Sequence, residues 1–308
     1  MKAVVLERNK LVNRRISRLW TCAGLDVTVI EDPAELAKHA GDSQLVGADV
    51  FDGEQVRTAL RAHPQLRAVL WTAEPIERTL RYAVEEPRLS NIFGRANFES
   101  TPRDWELVMA ARRLLRPSEP GAPFASYFTW GFTGFQEQVK DTAGRDAAVA
   151  RVQKYIENLG VPKRVGEMFG ELAHELLMNA IYDAPVDAGG NPRFAHDRKA
   201  AVKLDDKDAA TMRLACDGTR LAIQVTDPFG RLQRKHVFNG LARGLKGGQM
   251  DQSHGGAGLG MTVCHNSTVA MLYDVTRGQR TEVTGIFDLD LNLREFRTQA
   301  KSLHFFEV

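Results

Sequence analysis

Cysteine is scarce in this sequence of 308 residues, with Cys22, Cys216 and Cys264 far apart. They form no CxxC or Cys/His ligand spacing, which argues against a disulfide framework or a zinc site. No apolar run approaches the roughly 20 residues that a membrane helix needs, and the one at the N-terminus is far too short for a signal-peptide core. We therefore expect a cytoplasmic protein without a membrane partner.

Charge of one sign is not in excess either, because 41 basic residues stand against 39 acidic ones. With no basic tail in the sequence, we predict no nucleic-acid partner. Repeats, low-complexity tracts and sustained heptads are also missing, so the sequence predicts no long helical hairpin that could form a dimeric bundle. A homodimer formed in another way stays open. The length and the hydrophobic content of 43% are ordinary for two globular domains.

Residues 1–116 alternate short apolar runs with amphipathic stretches. The predicted strands are Lys2–Leu6, Asp26–Ile30, Gln44–Val50, Ala68–Thr72 and Asn91–Phe93. The predicted helices that follow them are Leu11–Cys22, Pro33–His39, Glu54–Ala62, Ile76–Val84 and Pro102–Leu115. This alternation predicts an α/β domain with a doubly wound, parallel, five-stranded sheet. Chemistry in such sheets gathers at the carboxyl ends of the strands, where the sequence places Glu7, Asp49, Thr72 and Arg95.

The order of these four residues resembles the response-regulator receiver domain. That family carries an acidic pair after the first strand, a phosphoacceptor aspartate after the third, a Ser or Thr after the fourth and a Lys after the fifth. The resemblance implies that Asp49 is the phosphoacceptor and that Thr72 supplies the hydroxyl. The acidic pair is reduced to Glu7 followed by Arg8, however, and Arg95 replaces the lysine. Phosphorylation of Asp49 and a pseudo-receiver that serves docking or dimerisation both stay open.

Three prolines and a glycine in residues 117–123, PSEPGAP, interrupt the periodicity and predict a linker. The second domain is predicted over residues 124–308. Its aromatic-rich beginning, Phe124–Phe135, is predicted to be strand-like, and Asp146–Leu159 has the apolar spacing of a helix.

A further helix is predicted at Glu171–Asp183, ELAHELLMNAIYD. Glu175, Asn179 and Asp183 follow one another at intervals of four residues, beside an apolar face. An amide oxygen is a hard neutral ligand for a phosphate-bound magnesium ion, and a carboxylate can orient or deprotonate a water or hydroxyl. The spacing alone is also typical of a solvated helix edge.

Two later stretches add to this helix. Strands predicted at Met212–Cys216 and Leu221–Thr226 lead into Asp227 and Gly230, where a carboxylate could accept a hydrogen bond from the amine of adenine. An Asp-Pro turn would explain the same residues. Further on, HGGAGLGM precedes an apolar helix, so its glycines could let phosphates approach a helix N-terminus. The glycines concerned are Gly256, Gly258 and Gly260.

Together these stretches resemble the ATP-binding domain shared by histidine kinases, gyrase, the Hsp90 chaperone and MutL, a two-layer α/β sandwich. The resemblance implies that Asn179 binds Mg²⁺, that Glu175 is the base in members that hydrolyse ATP, and that Asp227 binds adenine. It also implies phosphate binding by the glycine segment, an ATP lid between Leu232 and Ser253, and a threonine near adenine. The corresponding threonine is expected to be Thr284, in a closing hairpin of Ala270–Arg277 and Thr281–Asp290.

The sequence departs from this family at Phe229, which replaces a glycine, and at Tyr182, where kinases often carry a basic residue. No phosphoacceptor-histidine motif precedes the domain, so histidine autophosphorylation within the chain is not expected. The sequence thus predicts a signalling protein that binds Mg²⁺ and ATP, as a switch or for phosphotransfer to a partner protein, in the manner of the serine-kinase anti-sigma factors. The alternative is a non-catalytic docking scaffold with two degenerate domains.

Overall fold

A computed structural model of the chain describes residues 1–119, 121–246 and 257–308. The protein is a mixed α/β structure that divides into two compact units. Unit 1 contains Met1–Ala122 and Arg294–Phe306, and unit 2 contains Pro123–Leu293 and Glu307–Val308. In the described part of the chain, no helix has both the length and the apolar character needed to cross a membrane.

Unit 1 is built on parallel strands. These are β1 (Lys2–Leu6), β2 (Asp26–Ile30), β3 (Leu45–Asp49), β4 (Arg67–Thr72) and β5 (Leu89–Gly94). They lie in the order β2-β1-β3-β4-β5, and each neighbouring pair is parallel. Every residue of β3 is buried, as expected of a central strand with helices on both faces.

Helices connect these strands. They are α1 (Lys10–Cys22), α2 (Leu36–Ala40), α3 (Gly53–Ala62), α4 (Glu77–Glu85) and α5 (Asp104–Leu115). α1 packs against α5, whereas α3 packs against both α2 and α4. Ile16 and Trp20 of α1 share one apolar core with Leu107 of α5. The helices thus cover the sheet and leave the carboxyl ends of the strands to the polar residues.

Unit 2 contains an antiparallel sheet. Its strands are β6 (Thr133–Val139), β7 (Ala210–Cys216), β8 (Arg220–Asp227), β9 (Ala270–Thr276) and β10 (Arg280–Asp288). They lie in the order β9-β10-β8-β7-β6. The turn between β7 and β8 forms at Asp217, whose Oδ1 accepts hydrogen bonds from the N–H groups of Thr219 and Arg220 at 2.9 and 2.7 Å.

The helices of unit 2 are α6 (Thr142–Asn158), α7 (Lys163–Met178), α8 (Arg234–Leu245) and α9 (Ala257–Asn266). α7 packs against both α6 and α9. Its apolar face lies on the sheet, where the ring of Phe169 meets the ring of Phe287 edge to face at 6.2 Å. The amphipathic pattern of α7 therefore fixes which side of this helix remains for polar residues.

The C-terminal part of the chain returns to unit 1. After α10 (Leu293–Thr298), strand β11 (Ser302–Glu307) pairs antiparallel with β5, with His304 opposite Asn91. The second domain predicted over residues 124–308 is therefore wrong near its C-terminal end, because Arg294–Phe306 belongs to unit 1. A strand that pairs with a partner so distant in sequence leaves no local pattern that could predict its place.

The strand predicted at Phe124–Phe135 is wrong in its first half. Phe124–Tyr127 forms a short 3-10 helix, and β6 begins only at Thr133. The rings of Phe124, Phe128 and Phe132 contact one another, and the ring of Phe128 has centroid distances of 5.3 Å to Phe124 and 4.7 Å to Phe132. These aromatic residues form a cluster with one another instead of alternating across a sheet.

Candidate functional site

Glu175, Asn179 and Asp183 lie at the C-terminal end of α7, and all three are partly buried. The α-helix ends just before Asn179, and a π-helical turn follows in which the N–H of Ala184 donates to the Asn179 carbonyl at 2.9 Å. The predicted α-helix at Glu171–Asp183 is therefore wrong in its last turn. π-helical turns are frequent at functional sites, because they change the direction in which side chains leave a helix.

Arg198, from the loop before β7, joins Asn179 to Asp183. Its Nη2 donates to the Asn179 Oδ1 at 3.2 Å and also to Asp183, while its Nε donates to the other carboxylate oxygen of Asp183 at 3.2 Å. Burial lowers the pKa of Arg198, but the bonds with Asp183 and the attraction of Glu175 raise it above its ordinary value overall. No sequence pattern pointed to Arg198, because a loop residue keeps no fixed spacing to a helix.

Gly260, near the beginning of α9, lies directly against Glu175. A β-carbon added at Gly260 would overlap the Oε2 atom of Glu175 and lie 3.2 Å from its Cδ. The contact follows from the packing of α9 along α7. Tertiary structure therefore brings a glycine of the HGGAGLGM stretch to the polar edge of the predicted catalytic helix.

The rest of the glycine segment is only partly described. Gly258 lies in the first turn of α9, whereas Gly256 lies outside the described residues. The predicted lid, Leu232–Ser253, contains α8 in its first half. Its second half also lies outside the described residues.

Asp227 ends β8 and is buried, with 7% of its surface exposed. Its Oδ1 accepts a hydrogen bond from the N–H of Phe229 at 2.9 Å. Burial raises the pKa of Asp227 to about 6, although this hydrogen bond lowers it. Thr281 stands directly opposite on β10 and is buried as well. A carboxylate beside a hydroxyl suits a ligand that offers an amine donor.

Thr284 does not share a site with Asp227, contrary to the prediction. Its neighbour Gly285 lies on the face of the sheet covered by α7, since a β-carbon there would be 3.1 Å from Leu172. Side chains alternate along a strand, so Thr284 points to the opposite face. There its hydroxyl accepts a hydrogen bond from Gln224 Nε2 at 3.0 Å. Thr281 lies on the same face of the sheet as Gly285, because the two are four residues apart on β10. Counting along β10 from the residue that pairs with Asp227 identifies Thr281 instead of Thr284.

Gly230 serves the backbone of unit 2. It has a φ of +61°, and a β-carbon there would overlap the carbonyl oxygen of Thr276. Its own carbonyl accepts a hydrogen bond from the N–H of Gly278 at 3.2 Å. Packing against the β9–β10 turn thus accounts for the glycine, and a contact of Gly230 with a cofactor stays a prediction.

In unit 1, Glu7, Asp49 and Arg95 meet at the carboxyl ends of the strands. Arg95 donates from Nη2 to Asp49 at 2.6 Å and from Nη1 to Glu7 at 3.3 Å. Glu7 also accepts a hydrogen bond from Trp71 Nε1 at 3.1 Å, and Asp49 from the N–H of Phe51 at 3.0 Å. Burial raises the pKa of Asp49, although the bonds with Phe51 and Arg95 lower it. Arg95 therefore holds both predicted acidic residues.

Arg8 and Thr72 have partners of their own. Arg8 forms two hydrogen bonds with Asp52, at 2.7 and 2.8 Å. The hydroxyl of Thr72 accepts a hydrogen bond from the N–H of Glu74 at 2.9 Å. The structure thus brings Glu7, Asp49 and Arg95 together, and it turns Thr72 towards its own loop.

The two sites differ in what they could hold. Unit 2 offers a buried carboxylate at one strand end and a glycine helix beside a polar edge, which fits an adenine nucleotide. The predicted magnesium ligand Asn179 is bonded to Arg198, so an ion at that position would have to displace the guanidinium. The described residues contain no group of three or more His, Cys, Asp or Glu side chains placed to hold a metal ion. In unit 1, Arg8 stands where the receiver resemblance predicts a metal-binding carboxylate, and Arg95 already binds Glu7 and Asp49, so a metal ion does not fit there.

A pocket in unit 2 lies away from these residues. It is lined by apolar side chains near the N-terminal end of α7, including Val161, Val165 and Phe287. α7 has 16 residues, so at 1.5 Å per residue its ends are about 24 Å apart. The pocket therefore takes no part in the candidate site.

No protein-family model matches the chain, and no curated protein matches it.

Proposed function

We propose that unit 2 binds ATP, as a histidine-kinase-like ATPase domain in a cytoplasmic signalling protein. The observation that carries this proposal is the contact between Gly260 and the carboxylate of Glu175. Two stretches that the family resemblance assigns to one nucleotide site are distant in the sequence, yet they touch. The buried Asp227, with a pKa raised to about 6, supports the adenine end of the same site.

Each residue has a role in this proposal. Asp227 and Thr281 accept hydrogen bonds from the adenine end of the nucleotide. Gly258, in the first turn of α9, has no β-carbon to keep the phosphates from the backbone, whereas Gly260 makes room for the carboxylate of Glu175 beside them. Glu175 acts as the base if ATP is hydrolysed or its phosphate is transferred to a partner protein.

Asn179 is the proposed ligand of the magnesium ion. An ion bound with the nucleotide neutralises part of the phosphate charge, and the amide oxygen of Asn179 is a suitable hard ligand for it. Asn179 would then exchange its bond with Arg198 for a bond to the ion. Asp183 stays paired with Arg198.

Calorimetric titration with Mg–ATP tests the proposal. The wild-type chain is expected to bind ATP, and Asp227→Ala is expected to weaken binding about tenfold or more. The reason is that one hydrogen bond to a charged group contributes roughly 1.5–3 kcal/mol. Asp290→Ala, at an exposed position, serves as the control. Absence of binding by the wild-type chain at millimolar ATP contradicts the proposal.

Unit 1 favours a second function, docking of a protein partner or of a second copy. The observation behind it is the Arg95 guanidinium, which binds both Asp49 and Glu7 in a buried position. The order β2-β1-β3-β4-β5 of the parallel strands supports the receiver-like part of this proposal. Phosphorylation of Asp49 is not part of the proposal, because its carboxylate is already held by Arg95 and Phe51. If the titration shows no ATP binding, the alternative to be tested next is a non-catalytic docking scaffold.

A further inference from the structure

The candidate nucleotide site lacks a cation at the position where the kinases that the sequence resembles often carry one. That position is Tyr182, three residues after Asn179. Tyr182 is buried, with 1% of its surface exposed, so its side chain does not reach into the polar edge. The polar edge holds the carboxylates of Glu175 and Asp183, so a bound polyphosphate needs a positive charge from elsewhere.

Tyr182 instead attaches a loop to the body of unit 2. Its hydroxyl donates to the carbonyl of Ala200 at 2.8 Å and lies 3.1 Å from the hydroxyl of Thr142. Thr142 in turn accepts a hydrogen bond from the N–H of Val202 at 3.0 Å. Two hydrogen bonds thus fix the backbone immediately after Arg198. The residue that replaces the expected cation holds in place the segment that delivers another one.

Only two of the three guanidinium nitrogens of Arg198 donate hydrogen bonds to the residues that the structure describes. Nε and Nη2 are bonded to Asp183 and Asn179, whereas Nη1 donates no hydrogen bond to any residue that the structure describes. The side chain keeps 25% of its surface exposed. Asp183 therefore orients the guanidinium and leaves its Nη1 accessible. Arginines bind phosphate and carboxylate groups through such guanidinium N–H groups.

Glu175 links Arg198 to the glycine helix. It lies one helical turn before Asn179, whose Oδ1 accepts a hydrogen bond from Arg198, and its carboxylate touches Gly260. Arg198 and α9 therefore contact the same short polar segment of the chain, Glu175–Asp183, from two different elements. From these contacts we propose that Arg198 is the phosphate-binding cation of the nucleotide site and that Tyr182 is its positioning residue. The inference rests on the proposed ATP binding by unit 2.

The test compares ATP with adenosine, which lacks the phosphates. ATP binding is measured by calorimetry, with and without magnesium, and adenosine binding by ligand-observed NMR at millimolar concentration. Arg198→Gln is expected to weaken ATP binding about tenfold or more and to leave adenosine binding within about twofold, because charge-assisted bonds to phosphate are lost. Arg198→Lys is expected to fall between Arg198→Gln and the wild type, since it keeps the charge and loses the fork.

Arg193→Gln is the matched control. Arg193 lies in the same loop, pairs with Asp208 at 2.8 Å, and keeps 27% of its side-chain surface exposed. This variant is expected to bind ATP like the wild type. Tyr182→Phe is expected to weaken ATP binding about fivefold and to spare adenosine, because it removes the neutral hydrogen bonds by which the hydroxyl holds Ala200 and Thr142.

The outcomes separate this inference from the proposed function. If the wild type binds ATP and Arg198→Gln binds it equally well, Arg198 does not bind phosphate, although unit 2 still binds ATP. The inference is also contradicted if Arg198→Gln loses affinity for ATP and for adenosine equally, or if Arg193→Gln loses as much ATP affinity as Arg198→Gln. Either result indicates a general effect on the loop. If the wild type binds neither ligand, the proposed function itself has failed.

Discussion

Among single residues, Asp227 is the one whose protonation should control ligand binding. Burial places its pKa at about 6, so the carboxylate is ionised at neutral pH and protonated in mild acid. Only the ionised form offers both oxygens as strong acceptors to an amine. The pH at which ATP affinity falls thus reports directly on this residue.

We expect ATP affinity to be constant above about pH 7 and to fall as the pH is lowered through about 6. The sign follows from the raised pKa, since the protonated form accumulates on the acid side. Calorimetry of the wild type and Asp227→Asn over this range checks it, because the variant cannot titrate and corrects for protonation of ATP itself. Parallel profiles for the two proteins would show that Asp227 is not the titrating group.

At the level of elements, the candidate site depends on the packing of α7 against α9. α7 buries its apolar face on the sheet, and its C-terminal end opens into a π-helical turn. Gly260 lets α9 come close to Glu175, since any larger residue would meet the carboxylate. Gly166, on α7, is also a helical glycine, but a β-carbon there would meet its nearest atoms at 3.8 Å. The two positions therefore separate the effect of close approach from the effect of helix propensity.

Gly260→Ala is expected to lower ATP affinity severalfold without lowering the melting temperature. Only the flexible end of Glu175 has to move, and alanine is favoured over glycine in a helix by about 1 kcal/mol. Gly166→Ala is expected to show the gain in stability with unchanged ATP affinity. Calorimetry and thermal unfolding of both variants measure the two effects. Unchanged ATP affinity in Gly260→Ala would mean that the nucleotide does not approach α9 at this point.

At the level of the whole molecule, the last strand of the chain completes unit 1. β11 brings His304 and Ser302 into a buried polar cluster with Glu106 and Asn91. Ser302 Oγ donates to Glu106 at 2.6 Å, and the two nitrogens of His304 lie 3.4 Å from Glu106 and 3.1 Å from Asn91. Burial raises the pKa of Glu106, but the bond with His304 and the charge of Arg103 lower it below its ordinary value overall.

His304→Leu is expected to destabilise unit 1 by about 3–5 kcal/mol, because it removes one partner of a buried charged group. Chemical unfolding followed by circular dichroism measures the loss, and His196→Leu, at an exposed position, is the control. The lowered pKa of Glu106 stabilises the fold above the unfolded value of about 4.3, and this contribution is lost as the pH falls further. A variant as stable as the wild type would show that β11 does not depend on this cluster.

The sequence predicted the local elements of unit 1 well. The predicted strands Lys2–Leu6 and Asp26–Ile30 have the bounds found in the structure, and the mixed α/β class is confirmed. Buried parallel strands are short apolar runs between polar turns, so their pattern is contained within a few neighbouring residues. The carboxyl-end positions of Glu7, Asp49 and Arg95 follow from the same pattern.

Contacts between residues that are distant in the sequence were not predictable in the same way. Thr284 was predicted to lie near adenine, but it is on the other face of the sheet. The face that meets Asp227 depends on the register of β10 against β8, which the sequence does not give. Arg198 and β11 were missed for a related reason, since their partners lie outside any short window of the sequence. The π-helical turn at Asn179 is local, but the helical spacing of the sequence does not distinguish it from an α-helical turn.

The stretch at Glu171–Asp183 shows both contributions. The sequence alone determined that Glu175 and Asn179 share one edge of an amphipathic helix, because helical periodicity is a local property. Only the tertiary structure placed Gly260 against Glu175 and Arg198 against Asn179. Contacts between remote segments are set by the packing of whole elements, and no short window of sequence contains that information.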